Sequence, residues 1–231
     1  MSFDGFDRGL LRYLAELRAN NHRAWFNAHR AEYETLLLEP ARDFVEAVGE
    51  ELRPFVPEVG ADPRVNGSIF RIARDTRFAK DKRPYKDHLD LWFWVGDRKR
   101  GPGFWFRLAP EELILGGGMH HFDPAQLEQY RTSVVEEERG GALRDEVERL
   151  GAAGYELGGH RYKRTPRGFE APEDRAPLLL HEGIFAWVQF SPVPEEVFTP
   201  SFPRFAADRY RPLAPLVDWL GSSVVEGKTA A

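Results

Sequence analysis

The chain has 231 residues, 42% of them hydrophobic and 13% aromatic, with six Trp and seventeen Phe, enough for one domain with a core rich in flat rings. It has no cysteine, which excludes disulfides, thiolate nucleophiles, Cys-ligated zinc and iron–sulfur clusters. The net charge of −5 argues against a general nucleic-acid binder, and no run approaches the apolar length of a membrane span.

A single domain over 1–220 with a disordered tail over 221–231 is the expectation. Asp4, Asp7, Arg8, Arg12, Glu16 and Arg18 interrupt any secretory apolar segment near the start, so the expected location is cytoplasmic, with no membrane partner. No motif names a cofactor, a catalytic residue or an oligomeric state.

Along the chain, Phe6, Leu10, Leu11, Leu14 and Leu17 recur at helical spacing, and Asn20-Asn21 supplies a stop and a new N-cap. Trp25, Phe26, His29, Tyr33, Leu36 and Leu37 trace a second helical face over 22–38. Pro40 fits the first turn of a third helix carrying Phe44, Val45, Val48 and Leu52. Residues 68–73 read as a short strand. The runs 91–95, 104–108 and 113–115 read as an antiparallel meander that Gly116-Gly117-Gly118 brings to an end, at a place where the backbone bends sharply or approaches something closely.

Asp123-Pro124-Ala125-Gln126 is an N-cap signature. Another helix is expected after Gly140-Gly141. The stretch 154–172 reads as an ordered excursion anchored by Tyr155, Tyr162 and Phe169, and 184–190 alternates as a strand. A last helix over 202–220 bends at Pro212 and Pro215. The fold class is therefore α+β: N-terminal helices, a central, mainly antiparallel sheet, and further helices packed on it.

The segment Arg71-x-x-Arg74-Asp75-x-Arg77-Phe78-x-x-Asp81-Lys82-x-x-Tyr85 concentrates the chemistry. Residues 71–88 hold seven bases against three acids, an excess of four on a chain whose remainder carries −9. Guanidinium forks suit bidentate contact with phosphate or carboxylate, and three within seven residues can converge on one anion. The alternative is a structural network in which Arg71, Arg74 and Arg77 are tied to Asp75, Asp81 and acids elsewhere.

With these residues the sequence resembles a conserved-hypothetical family, domain of unknown function 2461, found in bacteria and as a region of some fungal proteins. The likeness rests on the motif just given and on Asn20-Asn21-x-x-x-Trp25-Phe26-x-x-His29-Arg30-x-x-Tyr33. It extends to Gly116–Gly118 and to Lys163-Arg164-x-Pro166-Arg167-Gly168-Phe169. It covers nearly the whole chain and implies no reaction, substrate or catalytic residue.

The resemblance suggests which positions to pair. Trp25, His29 and Arg30, the set Arg71, Arg74, Asp75, Arg77, Asp81, Lys82, Tyr85 and Lys86, and the set Lys163, Arg164 and Arg167 are expected to meet around one pocket. Adjacent on a helix, His29 and Arg30 point about 100° apart, so one of them reaches it. The expected ligand is a small phosphate- or carboxylate-bearing molecule. The alternative is a protein or nucleic-acid interaction module using an exposed basic stripe.

Other signals are weaker. His120-His121 lack a carboxylate at ligand spacing, so no metal is assigned. Asp75 flanked by Arg74 and Arg77 suits an orienting or metal-binding anion better than a general acid, and no Gly-x-Ser-x-Gly nucleophile frame exists. The runs Trp92-Phe93-Trp94 and Phe104-Trp105-Phe106 fit core packing on both faces of a sheet rather than base stacking.

Overall fold

A computed structural model describes residues 3–225. Helix α1 (Gly9–Ala19) buries Leu10, Tyr13, Leu14 and Leu17, one stripe at helical spacing. It stops at Asn20, whose N–H and side-chain amide both donate to the Glu16 carbonyl. Helix α2 (Arg23–Ala28) is capped by His22, whose ring accepts from the Trp25 N–H at 3.3 Å; Asn21, expected as the cap, is used elsewhere.

The single helix expected over 22–38 is broken at His29 (φ −108°, ψ 22°) into α2, the short α3 (Arg30–Glu32) and a π-helical turn, Tyr33–Leu38, which runs into α4 (Glu39–Leu52). Pro40 lacks the N–H for a bond four residues back, and its ring crowds that carbonyl. Widening the turn before it carries the chain past without a sharp kink.

Strand β1 is Val59–Gly60. Residues 68–73 form no strand, only isolated bridges, Val65↔Ile69 parallel and Ile69↔Leu91 and Ala73↔Tyr85 antiparallel. The meander is present as β2 (Leu89–Val95), β3 (Gly103–Ala109) and β4 (Glu112–Met119). Leu89, Leu91, Phe93, Phe104, Phe106 and Leu108 are buried, whereas Trp92, Trp94 and Trp105 are half-buried. The Phe side is thus fully covered and the Trp side only partly.

The glycine run lies inside β4 rather than ending it. Gly118 has φ +129°, and a Cβ there would run into the Ile184 carbonyl oxygen; one on Gly117 would press Leu213 and Phe104, each at 3.1 Å. Close approach, not a bend, explains the run. Helix α5 (Pro124–Val135) has a complete capping box: Asp123 accepts from the N–H groups of Ala125 and Gln126, and Gln126 accepts from that of Asp123.

Helix α6 (Glu137–Ala152) starts before Gly140-Gly141, which lie within it. A side chain at Gly140 would meet the Val134 carbonyl, so glycine lets the α5–α6 joint close. Arg175, 2% exposed, donates to the Glu136 and Glu137 carbonyls and to the Glu137 carboxylate, satisfying backbone groups at that joint. The excursion contains β5 (Glu156–His160), and β6 is His181–Phe190.

The last helical stretch is α7 (Phe202–Tyr210), a 3-10 turn at Arg211–Leu213, and α8 (Ala214–Leu220), bent where Pro212 sits. Of the stretch 221–231, expected as a disordered tail, Gly221–Val225 form a π-helical turn with Ser223 and Val224 buried; the remainder falls outside the described residues. The class is α+β, with a six-stranded antiparallel sheet among the described residues in the order β1-β2-β3-β4-β6-β5.

By contacts the described chain divides into two compact units, one of residues 3–93, 105–115 and 189–208, the other of 94–104, 116–188 and 209–225. The first has a phenylalanine core in which Phe44 stacks on Phe202 at 4.8 Å and meets Phe106 at 5.3 Å and Phe3 at 5.1 Å. Such pairs add about 0.5–1.5 kcal/mol each beyond burial. The second packs Phe104 on Tyr210 and Phe122 on Tyr130, whose hydroxyl donates to the Leu178 carbonyl at 2.9 Å. Among the described residues no helix is long and apolar enough to cross a membrane.

Candidate functional site

In the first unit, two of the sequence motifs come together. The bridge Ala73↔Tyr85 and the hydrogen bonds Arg74 N–H to Pro84 O and Lys86 N–H to Ile72 O, both 2.8 Å, close the neck of a loop over 74–84. Asn21 grips that neck, its side chain bonding both the N–H and the carbonyl of Tyr85. Phe26 stacks on the Tyr85 ring at 4.2 Å and touches Tyr33 at 5.4 Å.

Trp25 and His29, one helical turn apart, stack at 4.0 Å, and His29 Nδ1 lies 2.8 Å from the Trp25 carbonyl. Of the adjacent pair, His29 joins the aromatic cluster. Arg30 turns away and pairs with Glu34 along the helix at 3.1 Å.

The cations of the loop are engaged from within. Arg77 forms a fork on Asp75 (Nη2 to Oδ2 2.6 Å, Nε to Oδ1 3.0 Å), and Arg74 and Arg83 share Asp81 at 2.7 and 2.8 Å. Lys82 donates to the Thr76 carbonyl at 2.9 Å and to that of Arg77 at 3.4 Å. Hydrogen bonds from Arg83, then from Arg74, hold the Asp81 carboxyl well below the usual carboxylate range, and Arg77 does the same for Asp75. Arg71 and Lys80 make no hydrogen bond or ion pair with the described residues; Arg71 acts on Asp75 from longer range.

At the base of the loop, Asp90 receives Lys86 and Arg107, each at 2.8 Å, and His88 Nε2 at 3.2 Å. Burial pushes the Asp90 carboxyl up, and the hydrogen bonds of His88 and Arg107 more than reverse this, leaving it far below the usual range. Asp87 pairs with Arg18 of α1 at 2.8 Å. Acids and bases therefore form a chain of pairs from α1 through the loop to β3.

Phe78 stands out from this arrangement. Its side chain is 96% exposed, and the Arg77 guanidinium lies 6.0 Å from its ring. A large ring wholly in water, on a loop held by its own ion pairs, is what packing does not explain.

The chain matches a family described as conserved hypothetical protein, DUF2461, over residues 9–219. It belongs to the DUF2461 family. No curated protein and no solved structure matches it.

The third DUF2461-like signature lies in the second unit. There Tyr162 and Phe169 sit 5.0 and 5.9 Å from the Arg131 guanidinium, so two of the three expected anchors hold the segment to α5, while the third, Tyr155, donates to the Arg209 carbonyl at 2.7 Å. Lys163, Arg164 and Arg167 are exposed and make no hydrogen bond or ion pair with described residues. The described residues hold no group of three His, Asp or Glu able to bind a metal ion.

Three surface cavities are lined by none of the candidate site residues. One of about 250 Å³ is lined by Asp97, Arg100, Gln126 and Val224. Another, of about 350 Å³, is lined by Phe3, Glu46, Glu50 and Pro203, and the third, of about 500 Å³, by Arg8, Glu111, Pro192 and Phe198.

Sequence reasoning missed Asp90, Arg107 and Arg18 as members of the network, and Asn21 as its clasp. The even spacing of Asp90 and Trp92 against Leu89 and Leu91 was the available signal for Asp90, an acid on the less-covered side of a strand. Nothing in the sequence links Arg18 to Asp87, 69 positions away.

Proposed function

We propose that the protein is a docking module whose contact element is the loop over 74–84, and that its partner is a protein surface with an apolar pocket edged by acidic groups. The exposed ring of Phe78 carries this reading. Interface energy concentrates in a few aromatic and Arg side chains that fill pockets, and a rigid display lowers the ordering cost of binding. The pairs Arg74–Asp81–Arg83 and Arg77–Asp75 supply that rigidity. Arg71 and Lys80 provide positive charge not already paired.

The same pairing weighs against a small phosphate or carboxylate ligand at Arg74 and Arg77, because each fork already holds a carboxylate. A basic stripe for nucleic acid would call for unpaired cations along the segment, and most are engaged. The reading takes the protein to be cytoplasmic, as the sequence leads one to expect, and involves no reaction.

A photo-crosslinking phenylalanine analogue at position 78, in the cells that carry this chain, tests the proposal. The expected result is one discrete protein adduct, absent when Arg71 and Lys80 are both changed to Glu, and bound at least about tenfold more weakly by Phe78→Ala. No adduct above that at an exposed control position overturns it. So does a thermal shift with phosphorylated metabolites that disappears in Arg74→Ala, which returns the site to a small anion.

A further inference from the structure

Strand β5 ends the sheet, with β6 on one side and no strand on the other among the described residues. Glu156 pairs with Trp187, Leu157 with Ala186 and Gly158 with Phe185, and the register shifts between Gly158 and His160. Glu156 and His160 are exposed, and Leu157 is 36% exposed. A strand in this position presents unused N–H and C=O groups to any extended chain that comes alongside.

Side chains of β6 lie over β5 at Gly158. A Cβ on Gly158 would meet the Phe185 ring at 2.5 Å and Trp187 at 2.8 Å, so these rings lie across the strand where its side chain would stand.

The chain then enters a run with four bases and no acid from Arg161 to Gly168. Arg161 approaches Glu182 at 3.6 Å, while Lys163, Arg164 and Arg167 have no hydrogen-bond or ion-pair partner among the described residues. This is the reverse of the loop over 74–84, whose guanidinium groups are mostly engaged. The run is also fixed at its root: the N–H groups of Arg161 and Tyr162 both donate to the Leu180 carbonyl at 2.9 Å, and Arg131 covers Tyr162 and Phe169.

From this juxtaposition of an open edge and free cations continuing directly from its end, we infer that β5 and residues 161–168 form a second docking surface. It takes an extended, acidic segment of a partner protein. The segment adds a strand beside β5, an apolar side chain meets Leu157, and carboxylates that run past the strand reach Lys163, Arg164 and Arg167. A single-stranded nucleic acid fits less well, because it needs aromatic faces to stack on and those of Tyr162 and Phe169 face Arg131. This surface is independent of Phe78.

The test uses the full chain and a labelled peptide of about eight residues, the length of an extended strand, alternating Glu with Val or Thr. Binding is read by fluorescence anisotropy and by amide hydrogen exchange. The expected results are slowed exchange confined to 156–160 and at least about tenfold weaker binding in the Lys163→Glu, Arg164→Glu, Arg167→Glu triple variant. Phe78→Ala should bind the peptide as the wild type does. Thermal unfolding of the triple variant, altered only at exposed positions, verifies that it folds.

The inference fails if the same peptide with Lys in place of Glu binds equally, or if the triple variant binds unchanged. It also fails if a polyglutamate peptide or an oligonucleotide of the same length binds as tightly with no slowing at 156–160, since charge alone then accounts for association.

Discussion

Asn21 holds Tyr85 by both ends of its side-chain amide: Nδ2 donates to the Tyr85 carbonyl and Oδ1 accepts from the Tyr85 N–H, each at 3.0 Å. Residues 64 positions apart are thereby joined as two neighbouring strands would be. Asn21→Ala leaves a part-buried donor and acceptor without partners, which costs about 1–3 kcal/mol. Denaturant titration of the variant should give a lower midpoint with an unchanged slope; an unaltered midpoint would mean the clasp contributes nothing.

Asp90 is the hub for Lys86, His88 and Arg107. Its folded-state carboxyl lies below the ordinary range, so it contributes stability above the unfolded value of about 4 that is lost as pH falls below it. Unfolding measured between about pH 5 and pH 2.5 should show less acid sensitivity in Asp90→Asn than in the wild type. At neutral pH that variant should be less stable by about 1–3 kcal/mol, its three bases having lost their anion.

His181 is 5% exposed, its Nδ1 is 3.2 Å from the Leu178 carbonyl, and the His160 ring lies 5.7 Å away. Burial lowers its pKa, the Leu178 carbonyl raises it to a lesser degree, and the His160 charge lowers it further. The unfolded chain therefore takes up a proton that the folded one refuses. Stability should be fully present above about pH 6.5 and fall as pH drops below it. Chemical denaturation at pH 5.5 and 7.5 checks this, and a His181→Gln variant should lose the pH 6 component of the slope.

Gly118→Ala places a Cβ against the Ile184 carbonyl at a φ of +129°. Strain of this kind costs about 1–3 kcal/mol before the collision is counted. Thermal unfolding should show a marked drop for this variant and almost none for Gly141→Ala, where nothing stands within 4 Å of the added Cβ.

Phe78→Ala, by contrast, should leave stability within about 0.5 kcal/mol of wild type, because a ring already in water gains nothing by folding. A destabilised Phe78→Ala protein would mean that the ring packs against something in solution.

Much of the architecture was legible because it is written in local periodicity. Leu10, Leu14 and Leu17 announce α1, Asp123 to Gln126 announce the start of α5, and the short aromatic runs announce β2 and β3. What escaped depends on contacts between distant residues. Gly116–Gly118 looks like a stop until Ile184 and Leu213 are seen against it. The helix over 22–38 looks continuous because its apolar spacing survives the break at His29. Of the positions the sequence singled out, the segment Arg71–Tyr85 and the helical stretch carrying Trp25, His29 and Arg30 meet in the first unit through Phe26 and Asn21 on Tyr85. Charge counting could not tell which bases are spent on Asp75, Asp81, Asp87 and Asp90, since that is decided by side-chain direction. Phe78, inside the motif from the beginning, gave no sign of its exposure, because a phenylalanine in sequence is read as core by default.

The neck formed by Ala73, Tyr85 and the Arg74 to Pro84 hydrogen bond has an evolutionary and engineering corollary. Because nearly all the ties of the intervening residues run among themselves, that stretch is an insert: its tip can change length and chemistry while the body to which it is stitched stays the same. Joining Ala73 to Tyr85 through a tight two-residue turn should yield a chain that still folds and, on the docking reading proposed above, one that no longer engages the partner.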